Sequence, residues 1–527
     1  MIIPEVWNKV KKFGWFLPGL FLYAAFPPVC ETMDVLFALA PLMWLARRGD
    51  PKASAKAWTQ TGIVFWIATL SWMPAIVKNG GPWPLVVLGW FALAAYCTLY
   101  FAAYGYLSAK YWQWANGKYR LLGILFVEPI LWCGLELLRS NLGGGFAWNQ
   151  LGVVPANTGF GGPAAIGGVY LLSAIVILIN GSIAGIIERM VARGTLSRWR
   201  SLETILVFAL VFAVYKGAGV LGSAAGEAPR GTVKVAMVQR NFPCCFSSRE
   251  DNPVEVYSNL LSRVSLLKPD LLVLPESAMS EFGSVTSHRA HSAAKWLRNI
   301  SGARAVLAGG GWRDMRGDYN SAAIYEEAHF GIYNKVHLVP FGEFIPGDKI
   351  ITALQKLAPV GSCTPGRPKL LQLHLESTPI PFATAICYED TDSALIRDFA
   401  KKGAKFLCFI TNDSWFSESN EALAHAWQAT ARAIETGLPV VRVGNSGVTG
   451  TISPEGKWTR LDDEEGRALV DASGVMMDRI ELFERAHTLY VTYGDVPLAI
   501  LFVLLILTMI LVEYYPHHKL RGIPLNE

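Results

Sequence analysis

The sequence predicts an integral membrane α-helical bundle of about eight transmembrane helices, joined to an extracytoplasmic domain in which helices cover a β-sheet. Three observations carry that expectation. The 527-residue chain is 52% hydrophobic and 17% charged, with a mean hydropathy of +0.30, too apolar for a disordered chain and too long for one ordinary soluble domain. Its charge is divided, with 17 Lys+Arg against 8 Asp+Glu in residues 1–220 and 30 against 34 in residues 221–527. Long apolar runs fill the first part and return near the end, whereas the middle alternates short β-branched runs with helical patterns.

The clear spans are Thr61–Val77, Leu85–Leu107, Leu121–Leu138, Ala164–Ile187, Leu202–Tyr215 and Val496–Val512. Phe13–Phe26 and Val35–Ala46 are shorter and read as a hairpin of two short helices. Lys9, Lys11 and Lys12 precede the first run as they would in a signal peptide, but Pro27-Pro28 and another apolar run follow it, so the helix is read as retained. Lys and Arg accumulate on the cytoplasmic side of short loops. With the N-terminus inside, the inner loops and tail hold 16 basic residues and the outer loops hold only Lys78 and Arg139. The expected domains are therefore 1–217 (seven helices), 218–495 (an extracytoplasmic domain after the small-residue linker Gly217 to Gly226) and 496–527 (an eighth helix and cytoplasmic tail). The glycines from Gly159 to Gly168 follow no strand, so helix packing or a surface loop is expected there rather than a nucleotide loop. Gly309-Gly310-Gly311 reads as a turn.

In the outer domain, strands are expected at Thr232–Val238, Leu271–Leu274, Ala305–Ala308, Ser321–Tyr325, Phe382–Ile386, Phe406–Ile410 and Val440–Val443, with a hairpin near Gly450–Gly456. Helices are expected at Val254–Leu267, His288–Ile300, Ser393–Lys402 and Glu421–Glu435. Chemistry in such sheets gathers beyond the carboxyl ends of strands. Glu276 follows Leu271–Pro275, Cys387 follows Ala383–Ile386 and precedes Tyr388-Glu389-Asp390, and Asn412-Asp413-Ser414-Trp415-Phe416 follows Phe406–Ile410. A loop-like run, Tyr333 to Pro346, adds Lys335, His337 and Glu343. Singly, each has a bland reading as cap, core residue or solvated charge. Together they make a mechanism: a Cys given thiolate character by a helix start and an ammonium, a Glu shielded from water to shuttle protons, and a Lys for the oxyanion. Nothing in the spacing of 276, 335 and 387 brings them together.

As an ordered set, Leu-Pro-Glu276, Asn-Lys335 with Pro-Phe-Gly-Glu343, and Ile-Cys387-Tyr-Glu389 resemble the nitrilase superfamily over residues 232–475. That likeness implies an α-β-β-α sandwich with a Glu-Lys-Cys catalytic set. With seven helices before it and one after, the chain resembles the apolipoprotein N-acyltransferase family. Val238-Gln239 with Asn241, Thr411–Phe416, Arg442, Asn445-Ser-Gly447, Pro129-Ile-Leu-Trp132, Glu136, Arg139 and Gly145–Trp148 agree with it, while Ala147 stands where the family pattern has Pro and Arg240 where it has Gly.

The resemblance implies a ping-pong acyl transfer at the bacterial inner membrane, by a catalytic domain facing the periplasm. Cys387 would take a fatty acyl chain from a phospholipid (phosphatidylethanolamine) and pass it to the α-amino group of a diacylated apolipoprotein. Glu276 would be general base and acid and Lys335 the oxyanion stabiliser. Glu343 would position Lys335 or share its proton traffic, Tyr388 would donate its backbone N–H, and Glu389 would hold the elbow. Trp148 and Trp415 are candidates for the substrate mouth, and Glu136 and Arg139, three apart, for a structural pair. No cofactor or metal is expected: there is no CxxC or Cys/His spacing, and His288 and His291 lack a third ligand. No nucleic-acid partner is expected, and the protein is read as a monomer. The alternative is a membrane-tethered nitrilase-like amidase or hydrolase, with water in place of the amine.

Overall fold

The computed structural model describes residues 14–191, 198–221, 229–244, 252–345, 362–375, 378–483 and 488–519. Cys245 and Pro346 lie outside the described residues.

Five helices among the described residues are long and apolar enough to cross a membrane: Pro51–Asn79, Trp83–Ala115, Arg120–Gly144, Ala164–Val191 and Val496–Tyr514. The two short apolar runs become Leu17–Ala24 and Ala40–Ala46, each entered through a 3₁₀ turn. At 1.5 Å per residue, a regular helix of eight residues rises only about 12 Å, well short of a hydrocarbon core of about 30 Å. The expected seventh span lies in the helix Arg198–Leu221. Aromatic side chains fill the bundle, with Trp58 packed edge-on to Tyr104 at 4.6 Å and against Trp132 at 5.7 Å. Gly168 meets the expectation of close packing: its φ is +67° and a Cβ there would lie 2.5 Å from the ring of Tyr490.

The two ends of the bundle differ in chemistry. At one, Arg47 pairs with Glu128 at 2.8 Å, Lys110 with Glu513 at 2.6 Å, and Arg120 with Glu188 and Glu203 at 2.8 and 2.9 Å. At the other sits the α/β domain. Asn79 donates to the carbonyls of Ser414 and Trp415, Asn420 to that of Pro27 and Asn157 to that of Trp427, while Glu435 accepts from the Val169 N–H.

Among the described residues that domain contains two six-stranded sheets. The first runs in the order β12 (Gly474–Leu482), β1 (Gly231–Gln239), β2 (Leu271–Val273), β3 (Ala305–Asp314), β4 (Gly317–Tyr325), β5 (Phe330–Asn334). The second runs β11 (Trp458–Arg460), β10 (Gly450–Ile452), β9 (Val440–Gly444), β8 (Leu407–Thr411), β7 (Thr378–Ile386), β6 (Leu371–Leu375). At the centre of each, β1-β2-β3 and β7-β8-β9 are parallel. Sheets covered on both faces need apolar residues at every position, which is why Leu271-Leu-Val-Leu274 is a continuous run. Leu271 and Val273 face the second sheet in a core with Phe382, Leu407 and Val441, and Leu272 and Leu274 face the helices Pro253–Leu261 and His288–Ser301. The helices Ser393–Lys401 and Glu421–Thr436 pack on the second sheet, giving four layers.

Several elements differ from expectation. Gly309, Gly310 and Gly311 form no turn: they lie within β3, paired with Ala322, Ser321 and Asn320 of β4. The run from Tyr333 begins as the end of β5 rather than as a loop, and the helix from Pro253 stops at Leu261, with a separate 3₁₀ turn at Ser265–Leu267. Strands β6 and β12 were not expected. The nine residues of β12 pair along the whole of β1, yet Asp478, Arg479 and Glu481 interrupt any apolar pattern because this is an edge strand.

Candidate active site

The ends of the central strands bring the singled-out residues to one place. Glu276 lies just past β2, Cys387 directly past β7, and Lys335 directly past β5, where its N–H donates to the Asn320 carbonyl at 2.8 Å. The Lys335 ammonium is 2.9 Å from Glu343 Oε1. The Asn320 side-chain amide donates to Glu276 and to Glu343, at 2.7 Å each, and so spaces the two carboxylates. Glu276, Lys335 and Glu343 all act electrostatically on Cys387. Cys387 has a φ of +54° and Ser277, beside Glu276, one of +63°. A left-handed backbone at a non-glycine residue costs of order 1–3 kcal/mol and persists only where its surroundings impose it, commonly at functional sites.

Burial sets the protonation states. It pushes the Glu276 carboxyl up; Lys335 pulls it back and Glu343 adds to the rise. Burial works against the Lys335 ammonium, but Glu343, Cys387 and Glu276 together hold it above the usual lysine range. Burial would raise Glu343, yet the adjacent Lys335 and its hydrogen bonds hold it below the usual range. For Cys387 the sequence-based expectation of thiolate character is corrected. Burial, then the Glu276 carboxylate, push the thiol well above its ordinary range, and Lys335 only partly offsets them. The turn after Cys387 is a five-residue 3₁₀ segment, too short to supply a strong dipole. The resting pair is a protonated thiol beside a carboxyl of raised proton affinity.

Glu389 braces this arrangement. Its Oε2 accepts from the Ile386 N–H at 2.8 Å, and Oε1 accepts from the Tyr333 hydroxyl and the N–H groups of Val336 and His337 at 2.8, 2.6 and 3.1 Å. One carboxylate thus ties the backbone before Cys387 to the backbone after Lys335. The Tyr388 ring stacks on Phe146 at 6.4 Å, beneath the membrane half. Trp148 is buried, packed on Trp72 at 5.7 Å and on the His425 ring at 5.6 Å, so it does not line an open mouth. Trp415 is half-buried, its carbonyl accepting from Asn79. Glu136 and Arg139 are not directly paired: Glu136 accepts from the Leu151 N–H at 3.0 Å and Arg139 donates to the carbonyls of Phe146 and Trp148 at 2.7 Å each, so both hold the segment that reaches the site. His291 is exposed, with one face of its ring against Tyr325 and Phe330. Arg240, a departure from the family pattern, pairs with Glu281 and reaches the Glu276 carbonyl at 3.5 Å.

Asn320 and Gly309 escaped the sequence reading. Asn320 sits in a strand with nothing around it to mark its side chain. Gly309 is explained by approach: a Cβ there would lie 2.6 Å from the Cα of Glu276. Gly309→Ala is therefore expected to displace Glu276 and to destabilise the domain by about 1–3 kcal/mol, as overpacking does. A thermal midpoint equal to that of the parent protein would show that the contact is relaxed at no cost.

Residues 18–182 match the model of the apolipoprotein N-acyltransferase N-terminal domain, and residues 234–475 match that of the carbon-nitrogen hydrolases. The chain is 31% identical over 494 residues to the apolipoprotein N-acyltransferase of Geobacter metallireducens, covering 91% of each chain. It is 28% identical over 507 residues to that of Shewanella oneidensis, covering 92% of each. An amidase of the nitrilase superfamily from Nesterenkonia AN1 is similar at 17% identity, with 51% of this chain and 97% of that one covered and a TM-score of 0.36. Full-length likeness above 30% identity, over both the bundle and the four-layered domain, places the chain in the apolipoprotein N-acyltransferase family.

Proposed function

We propose that this chain moves a fatty acyl chain from a membrane phospholipid, through a thioester on Cys387, to the α-amino group of the N-terminal S-diacylglyceryl-cysteine of an apolipoprotein. The observation that carries the reading is the grouping of one ammonium and two unlike carboxylates, Lys335 with Glu343 and Glu276 with its raised proton affinity, around Cys387 below the membrane half.

In the first half-reaction Cys387 Sγ bonds to the ester carbonyl carbon as its proton passes to Glu276. Lys335 and the backbone N–H of Tyr388 bear the oxyanion's charge, and Glu343 keeps Lys335 in place. The tetrahedral intermediate collapses with cleavage of the ester C–O bond, and Glu276 returns the proton to the leaving alkoxide, giving a lysophospholipid. In the second, the amine nitrogen attacks the thioester carbonyl, Glu276 takes its proton, and the C–S bond breaks as Glu276 returns that proton to Sγ, restoring the thiol and giving an N-acylated product. Glu389 keeps the two catalytic backbones in register. Phosphatidylethanolamine is our proposed donor and the monomer our proposed working unit.

Two lipid substrates give a reason for seating this chemistry on a bundle. We read Arg198–Leu221 with the five long helices as full spans and the two short helices as a hairpin that completes the set of eight membrane helices, dividing the chain at 1–217, 218–495 and 496–527. The ion pairs of Arg47, Lys110 and Arg120 at the end remote from the α/β domain support placing that end in the cytoplasm and the domain in the periplasm of a bacterial inner membrane. Alkaline phosphatase fused after residue 230 is then expected to be active, and inactive after Arg48 or Lys118; the opposite pattern would overturn the sidedness.

Purified protein in mixed micelles with phospholipid and a synthetic diacylated lipopeptide is expected to yield triacylated lipopeptide and lysophospholipid in equal amounts. Release of free fatty acid with the peptide amine untouched would favour the membrane-tethered hydrolase.

A further inference from the structure

We propose that His425 is a positioning residue for acyl transfer, lodged between Asp390 and Asp413 so that it locks the turn carrying Cys387 onto the turn that follows β8. The proposal rests on Cys387 being the nucleophile, as above.

His425 projects from the helix Glu421–Thr436 into a fully buried group of charges. Its Nε2 lies 2.9 Å from Asp390 Oδ1, and its Nδ1 lies 3.0 Å from Asp413 Oδ1 and 3.5 Å from Glu421 Oε1. A neutral imidazole has one bare nitrogen. Nδ1 hydrogen-bonds Asp413, while Nε2 and Asp390 Oδ1 are in ion-pair contact without hydrogen-bond alignment, and carboxylate oxygens about 3 Å away on both sides of the ring favour the imidazolium. The two aspartates agree with this: burial opposes the charge, but they raise the imidazole pKa to about 10.

Arg442 closes the group from β9, with Nε 3.6 Å from Asp390 Oδ2 and Nη2 3.7 Å from Asp413 Oδ2. Two cations thus balance two aspartates. Burial and Asp413 push the Glu421 carboxyl up, toward its neutral form. Asp413, Glu421 and His425 converge as metal ligands would, but the two cations already neutralise the site.

What the group joins gives it a role. Asp390 is the third residue after Cys387, in the same 3₁₀ turn. Asp413 follows β8, takes a 2.8 Å hydrogen bond from the Thr411 hydroxyl, and is among the carboxylates that raise the Cys387 thiol. The Trp148 ring lies 5.6 Å from that of His425 while Phe146 stacks on Tyr388, so one segment of the membrane half presses on both the network and the nucleophile's neighbour. The charged groups facing Cys387 are Glu276, Lys335, Asp413 and Glu343, so the field at the thiol depends on how well His425 and Arg442 neutralise the aspartates.

The test is the pH dependence of iodoacetamide alkylation at the Cys387 peptide, measured by mass on the full-length protein in detergent. His425→Gln removes a cation, so the midpoint is expected to rise, by about half a pH unit or more. Asp413→Asn keeps the side-chain shape and removes an anion, so the midpoint is expected to fall by a similar amount. A purely structural role would lower reactivity or thermal stability in both variants without moving the midpoints in opposite directions. Unmoved midpoints, or shifts of the same sign, overturn the proposal, and either variant decides it if only one folds. If neither folds, the network is structural and the proposal fails. Absence of alkylation at Cys387 in the unmutated protein would instead overturn the nucleophile assignment, a separate result.

Discussion

Given phospholipid and no acceptor, the protein is expected to gain one fatty acyl mass on the Cys387 peptide, and Cys387→Ala is expected to gain none. A transferase of this kind holds its covalent intermediate until the amine arrives, so the thioester accumulates and a diacylated lipopeptide discharges it. Glu276→Gln is expected to slow loading by about 10²–10⁴-fold, the usual worth of a positioned base. The pH profile separates the roles. The thiol is held protonated well above neutrality, so loading in the parent protein requires ionised Glu276. Its carboxyl is raised, so as pH falls the rate should be lost above the ordinary glutamate range of about 4.3. In Glu276→Gln that acid limb should vanish, leaving a rate that climbs only as the thiol itself ionises. Parent-like loading by Glu276→Gln would sink the assignment.

Lys335→Met should cost nearly as much, for two separable reasons. Removing the ammonium takes away charge that the oxyanion needs, a loss on the order of 3–4 kcal/mol in the barrier if it resembles loss of an oxyanion-hole donor. It also leaves the partly buried Glu343 without its partner at 2.9 Å, and since breaking a fully buried pair from one side commonly destabilises by about 3–5 kcal/mol, the loss here should fall below that. Adding Glu343→Gln should then recover thermal stability while leaving acyl loading at the low level of Lys335→Met. If the double variant regains loading as well, the lysine acts only through folding and is not an oxyanion stabiliser.

The elements most legible in the sequence were those whose environment is uniform. A helix in lipid or a strand covered on both faces must be apolar throughout, so the long spans and β1, β2, β7, β8 and β9 announced themselves, the strands to within a few residues, while two helices run past their apolar stretch, starting at Pro51 rather than Thr61 and ending at Ala115 rather than Leu107. The edge strands β6 and β12 were missed because an edge answers to solvent on one side: His374 in β6, and Asp478 and Arg479 in β12, are compatible with pairing but do not signal it. The triple glycine misled for the converse reason. Glycine usually marks a turn, and only the approach of the Glu276 backbone shows why one sits inside β3.

The same division runs through the site. By itself the sequence determined the chemical parts and their addresses: a Glu, a Cys and an Asn-Asp pair just past apolar strands, and a Lys and a Glu in one run between Tyr333 and Pro346. These are local facts, because strand ends are fixed by nearby residues. Tertiary structure alone decided that the parts meet, that Asn320 spaces Glu276 from Glu343, that Glu389 ties the Cys387 and Lys335 backbones together, and that the thiol rests protonated. Those outcomes depend on burial and on groups brought together from separate strands, 44 residues apart for Asn320 and Glu276, 53 for Glu389 and Val336, and 111 for Glu276 and Cys387, and a pKa or a hydrogen bond across such a distance belongs to the packed assembly rather than to any segment of it.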